Sequence, residues 1–373
     1  MKVALQIDQL WFSAPGGIGT YVWELVEGFG SVAEPPELTL FRARFEGAPA
    51  RTFTREHRIV EVPGSIARLY PAWDVLARPG LPDELASTDV VHATNHVAVP
   101  PTAHGQALVV TVHDLAFDRY PELFPRDWRL LYRAGARAAI KRAHLLLTPT
   151  RATKDDLVAR GADPDRVRVT PLASSLPTST VNPDEVLARL GLERPFILCP
   201  GTIEPRKNQV RLVRAYRQVA PDVAQTLVLA GPEGWLTDEL DAELGRGGPG
   251  RVLRTGRLDP SDLDALYRSA DLVAYPSLYE GFGLVIVEAM ARGVPLVTST
   301  TPACAEVAGD AALLVDPLDV GGIADALARA LGDVDLRADL TARGRERAAG
   351  FSWAATARAT LAAYQEAVGR ART

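Results

Sequence analysis

Two glutamates flank a Gly-Phe-Gly turn in the second half of the chain. Glu280 precedes the turn, and Glu288 lies about one turn into a helical pattern that begins near Leu284. A glycine turn exposes backbone N–H groups and a helix start carries a partial positive charge, so the segment suits a bound diphosphate. Glu288 can accept hydrogen bonds from two neighbouring hydroxyls, such as those of a ribose, and Glu280 can reach a group on the far phosphate. Taken singly, each glutamate is more typical of a surface residue beside a glycine-turn helix cap, and it is the whole string that favours a function.

A pair of cations, Arg206 and Lys207, follows the apolar run 195–200 at a predicted helix start. Adjacent cations can neutralise a diphosphate and stabilise the charge that develops on it as a leaving group. Because lysine is scarce in this chain, its presence at position 207 favours a functional role over a solvated surface position. The alternative is a solvated basic helix start.

The first half of the chain has two further candidates. Gly16 and Gly17 follow the first apolar run and permit close approach of an anion to the backbone, although they do not form the G-x-G-x-x-G dinucleotide fingerprint. His113 and Asp114 end the apolar run 107–112. A histidine there can hydrogen-bond a sugar hydroxyl or a phosphate oxygen, or it can be held by Asp114 or the backbone.

Three other features have open interpretations. His92 and His96 follow the run 89–93 and either line an acceptor pocket or are ordinary polar loop residues; zinc is disfavoured because no third ligand is in view. The segment 126–142 predicts a basic amphipathic helix, which is typical of a solvated face or of contact with anionic lipid. Its cations recur every four residues: Arg129, Arg133, Arg137 and Lys141.

Composition limits the class of protein. A chain of 373 residues is too long for one ordinary core, and 47% hydrophobic with 23% charged residues is typical of a globular protein. The net charge of −5 argues against a general nucleic-acid binder. No apolar run approaches the ~20 residues of a membrane span. The two cysteines lack metal-ligand spacing and favour a reducing cytoplasm.

Short apolar runs alternate with helical patterns, which predicts α/β structure with parallel sheets. A segment rich in Pro, Ser and Thr, 171–183, separates two complete patterns and predicts two doubly wound domains, 1–175 and 184–350, facing each other across a cleft. Segments 12–15, 64–80 and 94–105 are predicted acceptor loops of the first domain. The predicted strands are 2–7, 38–41, 57–62, 89–93, 107–112, 144–148 and 167–170, then 195–200, 226–230, 251–255, 271–275, 294–298 and 312–315.

The spacing Glu-x7-Glu across the Gly-Phe-Gly turn resembles the signature of glycosyltransferase family 4, which comprises retaining nucleotide-sugar glycosyltransferases of the GT-B fold. The glycine loop, the His-Asp pair, the Arg-Lys pair and the Phe-Ser-Trp tail at 351–353 occur in the family's order. The resemblance therefore covers nearly the whole chain. It implies two Rossmann-like domains and a final helix, within 351–373, that crosses back to the first domain.

The resemblance also implies roles for individual residues. Catalytic roles are implied for His113, Arg206, Lys207 and Glu280. Donor binding is implied for Gly16, Gly17, Arg206, Lys207, Gly256, Arg257, Glu280, Phe282, Gly283, Leu284, Val285 and Glu288. Among these, Gly256 and Arg257 would meet the nucleotide base, and the backbone at Phe282 and Gly283 would orient the sugar. No Asp-x-Asp metal motif is present, so neither a metal nor another cofactor is expected.

The implied function is transfer of a hexose, with mannose from GDP-mannose as the first expectation, to a glycan or lipid-linked acceptor in cell-surface polysaccharide assembly. The implied location is the cytoplasm, with peripheral contact at the inner face of the membrane left open. Two alternatives stay open at this point: a catalytically inactive nucleotide-sugar-binding subunit, and a GT-B epimerase. The sequence does not indicate the acceptor or the oligomeric state.

Overall fold

A computed structural model describes residues 1–177 and 179–372. Position 178 of the predicted linker and residue 373 at the end of the predicted final segment lie outside the described residues. The chain divides into two compact units, Met1–Leu172 with Ser352–Thr373, and Ala173–Phe351. Each unit contains a parallel sheet with helices, as the sequence predicts.

The first unit is built on seven strands within the described residues, in the order β3-β2-β1-β4-β5-β6-β7. The chain runs outwards from β1 to one edge and then returns to place β4 on the other side of β1, so the topological switch point lies between these two strands. In such sheets, ligands bind beyond the carboxyl ends of the strands at the switch point. The strands are β1 (Lys2–Gln6), β2 (Glu37–Ala43), β3 (Arg58–Val62), β4 (Val90–Ala93), β5 (Ala107–Thr111), β6 (Leu145–Thr148) and β7 (Val167–Val169).

Helices cover this sheet, and fully buried aromatic side chains such as Trp73 and Phe117 fill the space beneath them. The helices are α1 (Gly16–Phe29), α2 (Ile66–Leu76), α3 (Asp83–Ala86), α4 (Ala116–Arg119), α5 (Arg126–Arg142) and α6 (Arg151–Ala159). The prediction of a loop over 64–80 is wrong, because 66–76 forms α2. Pro71 lies inside this helix, and an internal proline is the signal that argues against helix in the sequence.

The second unit repeats the arrangement, with the order β10-β9-β8-β11-β12-β13 among its described strands. Its switch point lies between β8 and β11, which pair in parallel. The strands are β8 (Phe196–Pro200), β9 (Thr226–Ala230), β10 (Val252–Gly256), β11 (Leu272–Tyr275), β12 (Leu296–Ser299) and β13 (Leu313–Val315). The helices are α7 (Pro183–Arg189), α8 (Gln209–Val219), α9 (Asp238–Gly245), α10 (Pro260–Ser269), α11 (Leu284–Arg292), α12 (Pro302–Ala308), α13 (Val320–Gly332) and α14 (Val334–Ala349).

The final helix, α15 (Trp353–Ala371), belongs to the first unit, where it packs on α1 and β5. The approach to α1 is close, since a methyl group added at Gly28 would lie 3.1 Å from the carbonyl oxygen of Trp353. The buried Tyr364 hydroxyl lies 2.6 Å from Nδ1 of His92 in β4. This helix is therefore tied into the core of the first unit.

The predicted basic helix is α5. Arg137 and Lys141 are exposed, whereas Arg133 is bonded through Nε to Asp118 Oδ1 at 3.1 Å. Lipid contact by this face stays a prediction. Within residues 1–177 and 179–372, no helix is both long and apolar enough to cross a bilayer.

Candidate active site

Two loops leave the same edge of the second sheet at its switch point. One follows β8 and contains a short 3-10 turn, Pro205–Lys207, and the other follows β11. Asn208 ends the 3-10 turn in a left-handed conformation, and its side-chain amide donates to the carbonyl oxygen of Pro276 at 2.9 Å. Leu278 N donates to the carbonyl oxygen of Arg206 at 2.9 Å. These bonds hold the two loops together. The predicted helix start at the cations is thus a 3-10 turn, and α8 begins only after Asn208.

An ion cluster of five residues, Glu204, Arg206, Lys207, Tyr275 and Glu280, forms between these loops. Lys207 Nζ donates to Glu280 Oε1 at 2.7 Å and to Tyr275 Oη at 2.5 Å. Arg206 bridges the two carboxylates, with Nη1 2.9 Å from Glu280 Oε2 and Nη2 2.6 Å from Glu204 Oε1. Tyr275 Oη also donates to Glu280 Oε1 at 2.7 Å. The structure therefore joins three predicted site residues, Arg206, Lys207 and Glu280.

The cluster holds Glu280 ionised. Burial alone acts to raise the pKa of this carboxyl, but the neighbouring charges of Arg206 and Lys207 outweigh it and lower the pKa to about 2. At neutral pH, Glu280 can only accept hydrogen bonds. The side chains of Arg206, Lys207 and Tyr275 donate to its oxygens, so a carboxylate with about four acceptor positions retains room for about one further donor.

Glu288 lies one turn into α11 in a different environment. Its side chain is 8% exposed, and Tyr267 Oη from α10 donates to Oε2 at 2.9 Å. Burial raises the pKa of Glu288, and the Tyr267 hydrogen bond and the charge of Arg292 only partly oppose this effect. The surroundings therefore shift the two pKa values of the motif in opposite directions, down for Glu280 and up for Glu288.

The turn between the glutamates ends in Gly283, which has a φ of 86° and precedes the first residue of α11. The first N–H groups of a helix, here those of Leu284 and Val285, have no intrahelical acceptors and suit an anion. A side chain at Gly283 would be strained in this left-handed conformation, and its Cβ would lie 2.9 Å from Ile286 Cδ1. The ring of Phe282 instead packs edge-to-face on Phe351, so its backbone is the part left for a ligand.

The predicted base-binding residues lie apart from the ion cluster. Gly256 ends β10, the edge strand of the sheet and two positions from β8, and has a φ of 70°. Arg257 follows it and is exposed. Their contact with a base stays a prediction.

In the first unit, His113 follows β5 with its Nε2 2.9 Å from the carbonyl oxygen of Thr94 and its ring edge-on to Tyr21. Burial lowers the pKa of His113, which favours the neutral imidazole. Asp114 Oδ1 accepts from Ala116 N at 3.0 Å in a local turn. Gly16, with a φ of 57°, is the first residue of α1. The predicted roles of these residues stay predictions.

His92 and His96 lie only four residues apart, but their ring nitrogens differ in hydrogen bonding. The Nδ1 of His92 lies 2.6 Å from Tyr364 Oη and its Nε2 lies 2.8 Å from Thr111 Oγ1, so both nitrogens are satisfied in the core. His96 is stacked on Phe117, and within the part of the chain that the structure describes neither of its buried nitrogens has a hydrogen-bond partner. Burial lowers the pKa of each histidine to about 3.

No group of three or more His, Cys, Asp or Glu side chains suited to a metal ion occurs in residues 1–177 and 179–372. Cys199 and Cys304 are both buried and free. Burial raises the pKa of the Cys199 thiol to about 12, so neither spacing nor acidity suggests a reactive role for it.

Comparison with known proteins decides the family. Residues 15–173 match the family model described as Glycosyltransferase Family 4, and residues 187–347 match Glycosyl transferases group 1. O-antigen chain mannosyltransferase B of Escherichia coli is 36% identical over 265 residues, which cover 69% of this chain and 70% of that protein. The chain belongs to the group 1 glycosyltransferases.

A second relative of this glycosyltransferase is the D-inositol 3-phosphate glycosyltransferase of Salinispora arenicola, 37% identical over 71% of this chain. The match spans 64% of the length of that relative. Among solved structures, HepE of Anabaena in complex with UDP-glucose aligns with a TM-score of 0.74 at 19% identity, covering 97% of this chain and 99% of HepE. This likeness confirms the predicted GT-B fold.

Sequence reasoning missed three residues of this region: Glu204, Tyr267 and Tyr275. Tyr275 is the last residue of β11 at the switch-point edge, which is a signal that the sequence contains. Glu204 directly precedes the 3-10 turn of the cations. Tyr267 lies on α10, before β11, and its contact with Glu288 depends on tertiary packing.

Proposed function

We propose that this glycosyltransferase moves a hexose, with mannose as the first choice, from a nucleoside diphosphate sugar to a glycan or lipid-linked acceptor in cell-surface polysaccharide assembly. The observation that carries the proposal is the Lys207–Glu280 pair beside the start of α11. It places a cation and an ionised carboxylate at one edge of the sheet. The name of the E. coli relative, an O-antigen chain mannosyltransferase, supports the choice of sugar and pathway class.

Lys207 suits the diphosphate of such a donor, and Glu280 suits its sugar. When the bond between the anomeric carbon and the phosphate oxygen breaks, the nucleoside diphosphate leaves with one additional negative charge. Lys207 and the N–H groups of Leu284 and Val285 would stabilise that charge. The ionised Glu280 would accept a hydrogen bond from a hydroxyl of the sugar.

Arg206 acts in this proposal by holding Glu280 as well as by adding positive charge. Its guanidinium is bonded to Glu204 and Glu280, and its side chain is 15% exposed. A diphosphate that binds Lys207 competes with Glu280 for that cation. Donor binding would then release part of the Glu280 carboxylate to the sugar.

The reaction is proposed to retain the anomeric configuration, as the family resemblance implies. The acceptor oxygen would form its bond on the face that the diphosphate leaves, and its proton would pass to the leaving phosphate. The cations Arg206 and Lys207 supply the neutralising charge, so no divalent metal is required in this proposal. Glu288 would bind the ribose hydroxyls.

Calorimetric titration with GDP, UDP, dTDP and their hexose derivatives, in the presence of a chelator, tests the donor. Binding of GDP and GDP-mannose above the other pairs is the expected result. Selective binding of a uridine or thymidine pair would replace the proposed donor, and binding that requires added Mg²⁺ would overturn metal independence. Proton NMR of the first product from GDP-mannose and methyl α-mannoside tests the stereochemistry, since an initial β-anomer would contradict retention.

A further inference from the structure

Tyr275 is hydrogen-bonded to two members of the ion cluster, Lys207 and Glu280. Its hydroxyl donates to Glu280 Oε1 and accepts from Lys207 Nζ. Its ring is 1% exposed and lies between the two glycine turns of the site. A methyl group added at Gly201 would lie 4.0 Å from Cε2 of the ring, and one at Gly283 would lie 3.9 Å from Cε1. The ring is therefore buried close to both turns, and the hydrogen bonds with Lys207 and Glu280 hold its hydroxyl in place.

Tyr267 holds the other glutamate of the motif. It is fully buried in α10, and its hydroxyl donates to Oε2 of Glu288. Oε1 of Glu288 forms no hydrogen bond with any residue in the described ranges, which leaves it for a ligand. Each carboxylate of the Glu-x7-Glu motif thus receives a hydrogen bond from a buried tyrosine on a separate element.

We propose that Tyr267 and Tyr275 are positioning residues, which aim Glu288 at the ribose and Glu280 at the transferred sugar. This inference rests on the proposed function for the identity of the two ligand groups. The ligand group that each glutamate binds is inferred from the hydrogen bonds that its carboxylate already accepts. Glu280 has room for about one further donor, as from a single sugar hydroxyl, whereas Glu288 keeps one oxygen open for a diol.

Two buried phenols are suited to this task. The terminal torsion of a glutamate has a broad energy profile, so the plane of the carboxylate needs a fixed donor to define it. Burial, followed by the charge of the adjacent glutamate, raises the pKa of each tyrosine well above its ordinary value of 10.0. Both phenols stay protonated at neutral pH and donate to the carboxylates.

The variants Tyr275→Phe and Tyr267→Phe test the proposal as a matched pair. Each removes one oxygen and keeps a buried ring. For Tyr275→Phe, calorimetry is expected to show about a tenfold greater loss of affinity for GDP-mannose than for GDP, because only the former carries a sugar for Glu280. For Tyr267→Phe, both ligands are expected to weaken by about the same factor of ten, and the loss should vanish with 2′,3′-dideoxy-GDP.

Equal losses for all three nucleotides in both variants would indicate a general structural role and overturn the proposal, as would unchanged binding. If the wild-type protein prefers UDP, the same titrations are made with UDP, UDP-glucose and 2′,3′-dideoxy-UDP. A preference for UDP would replace GDP-mannose as the proposed donor. The pattern of affinity losses in the two variants would still decide whether the tyrosines position the glutamates.

A measurement without nucleotide separates this inference from the proposed function. Carbon-13 NMR titration of the glutamate carboxyls is expected to show a higher pKa of Glu280 in Tyr275→Phe only, and a higher pKa of Glu288 in Tyr267→Phe only, because each loses a hydrogen bond to its charged form. Unchanged carboxyl titrations would overturn the positioning role even if the donor proposal holds.

Discussion

Lys207 Nζ lies 2.7 Å from Glu280 Oε1, although 73 residues separate them in the chain. The contact exists because β8 and β11 are neighbours in the sheet, so the loops that follow them leave the same edge. Both side chains are nearly buried, with 12% and 7% of their surfaces exposed. Nearly buried charges interact strongly, and removal of either partner leaves the other poorly compensated.

Lys207→Ala is therefore expected to impair both binding and turnover. The variant removes the cation that we assign to the leaving diphosphate, and loss of one such group typically reduces turnover by about 10²- to 10³-fold. Initial rates with GDP-mannose and calorimetry with GDP measure the two effects. Lys2→Ala, which alters an exposed lysine at the start of β1, is the matched control. Wild-type turnover in a folded Lys207→Ala protein would contradict the assignment.

The low pKa of Glu280 predicts a specific acid sensitivity. Its pKa is about 2 in the folded protein against an ordinary value of 4.5, so the ionised carboxylate stabilises the fold fully above pH 4.5. This contribution, about 3 kcal/mol at neutral pH, is lost as the pH falls from 4.5 towards 2.

Glu280→Gln should accordingly be less stable than wild type at pH 7, and its free energy of unfolding should fall less steeply with acid below pH 4.5. Urea unfolding at a series of pH values measures both slopes. Parallel slopes for the two proteins would show that Glu280 is not held ionised by its cations.

The fold could be predicted largely from apolar periodicity. The prediction that α11 begins near Leu284 is confirmed, because the Gly-Phe-Gly turn and the following apolar pattern are local signals. The helix at 66–76 could not be predicted, since Pro71 opposes it locally and its packing against α5 depends on distant residues. The tyrosine partners of the glutamates are likewise tertiary contacts, and no sequence spacing specifies them.

Glu288→Gln is expected to make the folded protein more stable at neutral pH and to weaken its binding of GDP. Burial raises the pKa of Glu288, so its ionised form costs stability above the ordinary pKa of 4.5 and the cost disappears at lower pH. A neutral glutamine can still accept from Tyr267. The variant should therefore be more stable at neutral pH and match wild type in acid, as urea unfolding would show.

The same variant should bind GDP about tenfold more weakly, because it loses charge-assisted hydrogen bonds to the ribose. With 2′,3′-dideoxy-GDP the two proteins should bind equally. A stability loss at neutral pH together with unchanged GDP affinity would contradict both the electrostatic argument and the ribose assignment.

His96→Phe tests whether a buried histidine is retained for a ligand. Neither ring nitrogen of His96 has a partner among the described residues, and an unsatisfied buried polar group costs about 1–3 kcal/mol. The pKa of His96 is about 3 against 6.5, so the unfolded chain takes up a proton below pH 6.5 that the folded protein does not, and stability falls with acid. The variant should be more stable at pH 7 and lose less stability below pH 6.5.

His92→Phe is the matched control for this prediction, because His92 has the same burial and a pKa of about 3, but Tyr364 and Thr111 satisfy both of its nitrogens. Its replacement should destabilise the protein, since the buried Tyr364 hydroxyl loses its partner and the Thr111 hydroxyl keeps only Tyr21. If His96 serves an acceptor, transfer to methyl α-mannoside falls in His96→Phe while GDP affinity is unchanged. A loss of stability equal to that of His92→Phe would instead mean that ordered water satisfies the His96 nitrogens.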